Sequence, residues 1–128
     1  MHFNPSTTIQ TFLVPNQKIL FTCIMKVMRY QKKRKTQVSP TDVFEVYMDI
    51  CQKYDFTPVY EDRFREALKM LEECGLIKIN KGFKITEVLL GDYTLDEWEK
   101  AMYLFPECTK LKDYIPVFNR KIGTNAYH

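Results

Sequence analysis

The apolar residues of this chain recur in blocks with helical spacing, and polar or proline-containing breaks separate the blocks. The first block begins at Pro15-Asn16, and its apolar residues recur at i, i+1, i+4, i+5, i+8 and i+9: Ile19, Leu20, Cys23, Ile24, Val27 and Met28. This spacing places one wide apolar stripe on a helix of roughly four turns. Phe21 and Met25 lie off that stripe, so we expect neighbouring elements to cover this helix on two sides.

A second helical block follows a short β-branched segment. Thr36-Gln37-Val38 predicts a brief strand. Ser39 is placed to cap the next helix, and Pro40 at the first helical position loses no N–H that the helix needs. The segment Asp55-Phe56-Thr57-Pro58 ends this helix, because the residue before a proline is disfavoured in the α region. The apolar face in between consists of Val43, Val46, Tyr47, Ile50 and Tyr54.

The third block extends from about Tyr60 to Cys74 and leads into a β-hairpin. Gly75 follows the helix at the position where a left-handed residue usually terminates it. Residues 76–79 and 83–86 then alternate apolar and polar side chains around a short turn that contains Gly82, a pattern typical of a hairpin. The inner face of the helix is Phe64, Ala67, Leu68, Leu71 and Cys74. The hairpin alternation predicts inward Ile77, Ile79, Phe83 and Ile85, and outward Lys78 and Lys84.

The two ends of the chain carry weaker patterns. Residues 1–14 are polar and Thr-rich before an apolar end, and they predict an arm or linker that docks at that end. Near the other end, Thr94 and Glu97 have the capping-box spacing for a helix from Thr94 to Phe105, which Pro106 stops. Residues 107–128 have scattered apolar side chains without clear periodicity, which favours an irregular strap or a short strand.

The order of these elements predicts the fold class. Helix, short strand, helix, helix and hairpin form the plan of a winged helix-turn-helix domain, with the hairpin as the wing and residues 60–74 in the place of the recognition helix. We therefore expect a mainly α domain with a small β-hairpin. The winged helix-turn-helix core covers residues 15–92, and an extra C-terminal helix and tail over residues 93–128 pack on it. The length of 128 residues fits one domain.

Composition argues against several classes of chemistry. The four glycines are isolated, so we expect no phosphate-cradling loop. The two histidines, His2 and His128, are terminal, which argues against a catalytic histidine or a histidine-based metal site. We therefore expect a protein that is not an enzyme, with no catalytic residue, no metal and no cofactor.

The cysteines and the lack of long apolar runs indicate the compartment. Cys23, Cys51, Cys74 and Cys108 are too far apart for a zinc or redox motif, and we expect buried thiols in a reducing compartment. We find no signal peptide and no apolar run long enough to span a membrane. The sequence therefore predicts an intracellular protein with no membrane partner.

The distribution of charge bears on what the fold could bind. The net charge of +3 is too small to indicate a nucleic-acid binder by itself, and the basic excess lies in residues 1–60. The predicted recognition helix is acidic, since residues 61–73 contain five acids and three bases. DNA would repel a helix of net charge −2. Arg63 and Arg65, near its start, could still reach a groove.

Basic residues elsewhere are the candidates for contacts with DNA phosphates. They lie in the run before the first strand and in the wing: Lys32, Lys33, Arg34, Lys35, Lys78, Lys81 and Lys84. The run has three interpretations: a solvated loop, a nuclear-localisation signal or a patch that touches phosphates. It could not read bases alone.

Bulky residues of the last helix are the candidates for a protein interface, because Trp and Tyr often anchor such surfaces. The candidates are Tyr93, Trp98, Met102, Tyr103 and Phe105. The alternative is that the last helix and the tail use these side chains to pack on the winged-helix body.

Three segments between Asn16 and Ile85 together resemble a known family. They read NQKILFTCIMKVM, VSPTDVFEVYMDICQKYDF and FREALKMLEECGLIKI, and they are similar to the C-terminal winged-helix domain of origin-recognition and replication-initiator ATPases. The acidic recognition helix and the region after the wing look most like the heterochromatin-silencing paralogue of the silent information regulator complex. That resemblance implies a nuclear protein whose winged helix forms a homodimer among other chromatin or silencing proteins. In initiators, the same domain grips origin DNA.

Three functions remain open from the sequence. The first is a non-catalytic module for homodimerisation of a silent-chromatin protein, with at most weak and non-specific DNA contact. The second is a double-stranded DNA-binding winged helix of a replication-origin initiator. The third is a winged-helix piece of a larger enzyme that only positions the catalytic domain.

Overall fold

A computed structural model describes residues 4–31, 38–80, 85–88 and 93–117 of the chain. The elements within these residues are α1 (Pro5–Phe12), α2 (Pro15–Tyr30), α3 (Pro40–Tyr54), α4 (Glu61–Glu73), β1 (Ile77–Ile79), β2 (Ile85–Val88), α5 (Leu95–Met102) and α6 (Pro106–Thr109). The two strands form one antiparallel sheet. The mainly helical architecture with a small hairpin confirms the winged helix-turn-helix class predicted from the sequence.

Helix α2 is the centre of the core. Every residue from Ile19 to Val27 is buried, and the helix contacts α3, α4, α5 and α6. Phe21 and Met25, which lie off the main apolar stripe, have no exposed surface. The ring of Phe21 meets that of Trp98 on α5 edge-on, with 5.7 Å between the ring centroids. The prediction that this helix is covered on two sides is therefore confirmed.

Helix α3 begins and ends at the signals that the sequence carries. The Ser39 hydroxyl accepts a hydrogen bond from the N–H of Thr41 at 3.2 Å, and Pro40 is the first helical residue. At the other end Asp55 is left-handed, with φ 60°. The N–H of Phe56 then donates to the carbonyl of Cys51 at 2.9 Å, which closes the last turn.

Helix α4 packs through its predicted inner face and stops where expected. Its buried side chains are Phe64, Ala67, Leu68 and Leu71. Gly75 adopts φ 80°, a conformation that costs glycine no steric penalty. The N–H of Leu76 donates to the carbonyl of Leu71 at 3.0 Å, and the chain turns from there directly into the wing.

The wing is present as an antiparallel hairpin, and its second strand ends later than predicted. Strand β2 is described over Ile85–Val88, which overlaps the predicted residues 83–86 and continues two residues beyond them, with Ile77 opposite Val88 and Ile79 opposite Ile85. A register irregularity lies between Lys78 and Ile79. Four alternating residues indicate which face is buried, but they do not fix the register or the end of the second strand. Ile77 is buried and Lys78 exposed, as predicted, whereas Phe83, Lys84 and the side chain of Ile85 lie outside the described residues.

Before α2, the chain is helical over most of the segment that the sequence predicted to be an arm. The Asn4 side chain accepts a hydrogen bond from the N–H of Thr7 at 2.8 Å, and Pro5 is the first residue of α1. Helix α1 packs against α5 and buries Ile9 completely. The apolar pattern of this segment is too short to indicate a helix, and because an isolated helix of this length is marginal in water, α1 needs its packing on α5, which is distant in sequence.

After the wing, the chain follows the prediction in part. Thr94 and Glu97 form the predicted capping box: the N–H of Thr94 donates to Oε1 of Glu97 at 2.9 Å, and the N–H of Glu97 to the Thr94 hydroxyl at 3.2 Å. Helix α5 stops at Met102, earlier than predicted, and the short helix α6 was not predicted. Residues 110–117, which we call the strap, are irregular and bury Leu111 and Tyr114. From the short β-segment predicted before α3, Val38 makes a single bridge, while Thr36 and Gln37 lie outside the described residues.

Candidate functional site

Helix α4 is held at the surface by aromatic packing and by one tyrosine. The ring of Phe64 lies edge-on to Phe44, with centroids 4.9 Å apart, and 5.6 Å from the ring of Tyr47. The Tyr47 hydroxyl donates to Oδ1 of Asn16 at 2.7 Å and accepts from the N–H of Val59 at 2.9 Å. The segment that leads into α4 is therefore attached to both α2 and α3, and this attachment sets which side of α4 faces solvent.

The outer face of α4 carries charges of both signs with a small acidic excess. Its exposed charged residues are Glu61, Asp62, Arg63, Arg65, Glu66, Lys69 and Glu73. The fifth acid of the helix, Glu72, turns toward the wing, where its carboxylate accepts a hydrogen bond from the N–H of Ile79 at 3.0 Å. Four acids and three bases therefore remain on the surface that a DNA-reading winged helix would turn to the major groove.

Of the predicted phosphate contacts, one lies among the described residues. Lys78 on β1 is exposed and points away from the core, as predicted. The other candidates lie outside the described residues: Lys32, Lys33, Arg34, Lys35, Lys81 and Lys84.

Two of the five interface candidates are core residues. Trp98 is 1% exposed and Met102 has no exposed surface. Both lie on the face of α5 that turns inward to α1 and α2. A partner could not reach these side chains while α5 stays in place. For Trp98 and Met102 the alternative prediction therefore holds: the last helix uses them to pack on the winged-helix body.

The other three candidates are half-buried and contact the core. The Tyr93 ring lies edge-on to Trp98 at 6.3 Å. Lys26 places its ammonium 5.4 Å from the centre of the Tyr103 ring, and Lys18 lies 4.5 Å above that of Phe105. Burial raises the pKa of the Tyr103 hydroxyl. Each ring therefore supports the docking of the C-terminal part and exposes only one side to solvent.

The strap is tied to two helices at Tyr114. Its carbonyl accepts a hydrogen bond from the buried ammonium of Lys26 on α2 at 2.7 Å, and its hydroxyl donates to Oδ2 of Asp49 on α3 at 2.5 Å. The strap therefore runs along the side of α3 and forms one wall of a groove.

This groove is the feature that sequence reasoning missed. It encloses about 740 Å³ between α3, the segment that leads into α4 and the strap. We call it the α3 groove, and its apolar lining consists of the buried Val46, Cys51 and Tyr114 and the more exposed Phe44, Met48, Phe56, Pro58, Tyr60 and Val117. Tyr60 is 56% and Val117 81% exposed. The sequence signal was weak, because the more exposed lining residues come from three separate segments: Phe44 and Met48 from α3, Phe56, Pro58 and Tyr60 from the segment after it, and Val117 from the strap.

The described residues also bear on metal sites, membrane spans and disulfides. No group of three or more His, Cys, Asp or Glu side chains in that part of the chain could hold a metal ion. None of the described helices is both long and apolar enough to cross a membrane. The four cysteines are free; Cys23, Cys51 and Cys108 are buried and Cys74 is half-buried.

Comparison with known proteins places the chain in a family. Residues 11–97 match the family described as CDC6, C terminal winged helix domain, and they make up about two thirds of the chain. The chain belongs to this family. Searches of curated proteins and of solved structures gave no match.

The Cdc6-type winged helix defined by this match extends from the end of α1 into α5. It includes the three segments on which the resemblance to origin-recognition and replication-initiator proteins rested, so that broader resemblance is confirmed. A Cdc6-type winged helix is a module for interaction with DNA or with protein. The charges of α4 and the α3 groove are the features of this chain that bear on the choice between the two.

Proposed function

We propose that this Cdc6-type winged helix is a non-catalytic protein-interaction module that associates with a second copy of itself. The observation that carries the proposal is the outer face of α4, with four exposed acids and three exposed bases. A duplex that approached this face would meet at least as much repulsion as attraction. The same mixture of charges is compatible with a protein surface, where opposite charges can be matched one by one.

The exposed apolar side chains support the same proposal. Tyr60 stands next to the start of α4, Met70 lies exposed on α4 itself, and Val117 protrudes from the strap. Aromatic residues and methionine are enriched at the centres of protein interfaces. Exposed side chains of these types fit contact with another protein better than contact with a phosphate backbone.

Sedimentation velocity over a range from below one to several hundred micromolar tests self-association. We expect the weight-average mass of the 128-residue chain to rise from one chain toward two, with little dependence on salt because apolar burial contributes most of the affinity. A single-chain mass over the whole range would overturn the proposal.

Binding to double-stranded DNA is the second candidate function. It is favoured by the family and by the outward-facing Lys78 on the wing. Fluorescence anisotropy with a labelled duplex at ~50 and ~200 mM salt separates the two functions, because an interface with 6–10 phosphate contacts loses roughly 10³–10⁵ in affinity between these conditions. Weak binding that does not depend on sequence is the expected result. Tight and sequence-dependent binding, weakened by Lys78→Glu but not by Lys100→Glu on α5, would make DNA reading the function.

We also propose the narrower assignment to a nuclear, heterochromatin-silencing protein, with chromatin or silencing proteins as further partners. It is supported by the acidic excess on α4 and by the additional helices and strap after the wing. Chromatin immunoprecipitation of the full-length protein in its own cells tests it. Enrichment over silent chromatin is expected, whereas enrichment confined to replication origins would contradict it.

A further inference from the structure

We propose that the α3 groove is the surface through which two copies associate, with the two α3 helices antiparallel across a two-fold axis near Asp49. This inference rests on the proposed self-association and adds the surface, the symmetry and the residue pairs. It depends on three observations: the apolar lining of the groove, the outward stripe of α3 and the signs of the charges at the two ends of that stripe.

The outward stripe of α3 is a regular helical face. Thr41, Glu45, Gln52 and Lys53 are exposed, and Met48 and Asp49 are half-buried between them. Positions that are three, four, seven and eight residues apart lie on the same side of a helix. Helix α3 packs its opposite side on α2, so this stripe and the apolar lining beside it form one continuous surface.

The charges of the stripe are complementary to themselves. Glu45 lies about one turn before Asp49 and Lys53 about one turn after it, and the two are about 12 Å apart at 1.5 Å per residue. A two-fold axis between them reverses the second helix and places Glu45 opposite Lys53 of the second copy, twice per dimer. An isologous interface needs this arrangement, in which residue i meets residue j and j meets i.

The charge nearest the axis is compensated within each copy. The Asp49 carboxylate accepts a hydrogen bond from the Tyr114 hydroxyl and forms an ion pair with Lys53 at 3.3 Å. Two Asp49 side chains that approach each other would therefore repel less than two isolated carboxylates. More than half of the Lys53 side chain is exposed. Its ammonium can therefore pair with Asp49 of its own copy and with Glu45 of the second copy at the same time.

The apolar lining would supply the affinity, and the charges would supply the orientation. Tyr60 and Val117 are the most exposed of the lining residues, and Phe44, Met48 and Phe56 offer further half-buried surface. Contact with a second copy would remove these side chains from water at the middle of the interface, with Glu45 and Lys53 at its edge. That division into an apolar centre and a charged rim is the usual anatomy of a protein interface.

Charge reversal tests the arrangement in a way that a merely structural effect could not imitate. E45K and K53E are measured by sedimentation velocity, each alone and then as an equimolar mixture. We expect each variant alone to dimerise at least about tenfold more weakly than the parent chain. The mixture should recover dimers, because each mixed dimer again has two opposite-charge pairs.

A second comparison tests the apolar part. Val117→Asp should weaken dimerisation by more than tenfold, whereas Leu104→Asp should leave it unchanged, since Leu104 is 75% exposed but does not line the groove. Thermal unfolding followed by circular dichroism confirms that all variants are folded. If the parent chain dimerises and E45K, K53E and Val117→Asp dimerise equally well, the α3 groove is not the interface, although self-association stands. A monomeric parent chain would overturn both.

Discussion

The ammonium nitrogen of Lys26 lies 2.7 Å from the carbonyl oxygen of Tyr114 and 3.2 Å from that of Lys112. Lys26 is in the middle of α2 and only 2% exposed, so these two carbonyls replace water around a buried cation. Burial lowers the pKa of Lys26, and the carboxylates of Glu99 and Asp113 oppose that effect. The contact joins the centre of the core to the strap, which is the wall of the α3 groove.

The first prediction concerns this contact. Lys26→Met keeps most of the side-chain volume but removes the donor of two hydrogen bonds, so we expect the free energy of unfolding to fall by about 2 kcal/mol. Urea unfolding measures the change, and Lys100→Met on the exposed face of α5 is the matched control, expected to stay within about 0.5 kcal/mol of the parent chain. A variant more stable than the parent would show that burying the ammonium costs more than its hydrogen bonds return.

The hydroxyl of Tyr114 provides the second prediction. Tyr114→Phe keeps the ring and the carbonyl that Lys26 holds, but it removes the hydrogen bond to Asp49. We expect a loss of about 1–2 kcal/mol in urea unfolding, because the lost acceptor is a charged carboxylate at a partly exposed site. Tyr54→Phe is the control, since the Tyr54 ring lies 6.2 Å from that of Tyr114 in the same cluster. Equal losses in both variants would refute a specific role for the Tyr114 hydroxyl.

A third prediction concerns the attachment of α5 to α2. Nε of Arg29 donates to Oε1 of Glu99 at 2.9 Å, and its guanidinium also pairs with Asp96. The hydrogen bond to Glu99 is the main reason that the pKa of Arg29 is raised. Arg29→Met leaves the buried Glu99 carboxylate unpaired, and we expect a loss of about 2 kcal/mol, less than for a fully buried pair because the Arg29 side chain is 35% exposed. Adding Glu99→Gln should recover part of the loss in thermal or urea unfolding; no recovery would contradict the pairing.

Alkaline pH gives a fourth prediction. Burial raises the pKa of the Cys108 thiol from 9.0 to about 11 and that of the Tyr47 hydroxyl from 10.0 to about 12. At a pH between the unfolded and folded pKa values of these groups, the folded chain binds more protons than the unfolded chain. The contribution of Cys108 to the free energy of unfolding is therefore fully present below pH 9 and falls as the pH rises toward 11. At about 1.4 kcal/mol per unit of pKa, Cys108 alone would remove up to about 3 kcal/mol.

Lys26 acts in the opposite direction. Its lowered pKa means that its contribution to stability rises as the pH approaches the unfolded value of 10.5, which makes the total decline shallower. Urea unfolding at half-unit steps from pH 8 to 10.5 measures the sum, and Cys108→Ala should flatten the curve. A stability that does not change over this range would contradict the burial of these groups.

The fluorescence of Trp98 gives a fifth prediction. It is the chain's one tryptophan, and it is packed between the rings of Phe21 and Tyr93. We expect blue-shifted emission, weak quenching by acrylamide and no spectral change when the protein concentration is raised through dimerisation. A red-shifted spectrum, or one that shifts on association, would return Trp98 to the list of interface residues.

Local signals explain which parts of the fold could be predicted. The helix-end signals act on backbone groups within a few residues of themselves, so they can be recognised from the adjacent sequence. They are Ser39 before Pro40, the capping box of Thr94 and Glu97, and the left-handed Gly75. The apolar stripe of α2 likewise predicted its burial. The charge of α4 was also readable, except that the structure assigns Glu72 to the wing and so reduces the acidic excess at the surface.

The order of α2, α3, α4, the hairpin and α5, and hence the winged helix-turn-helix class, followed from the sequence alone, as did the capped starts of α3 and α5. Contacts between distant parts of the chain make residues 5–12 a docked helix, bury Trp98 and Met102 in the core, and form a groove between the strap and α3, none of which followed from the sequence alone. The physical reason is that hydrophobic burial is not directional. Periodicity shows which face of an element must be covered, but the covering partner is chosen by contacts between residues such as Lys26 and Tyr114, which are far apart in the chain.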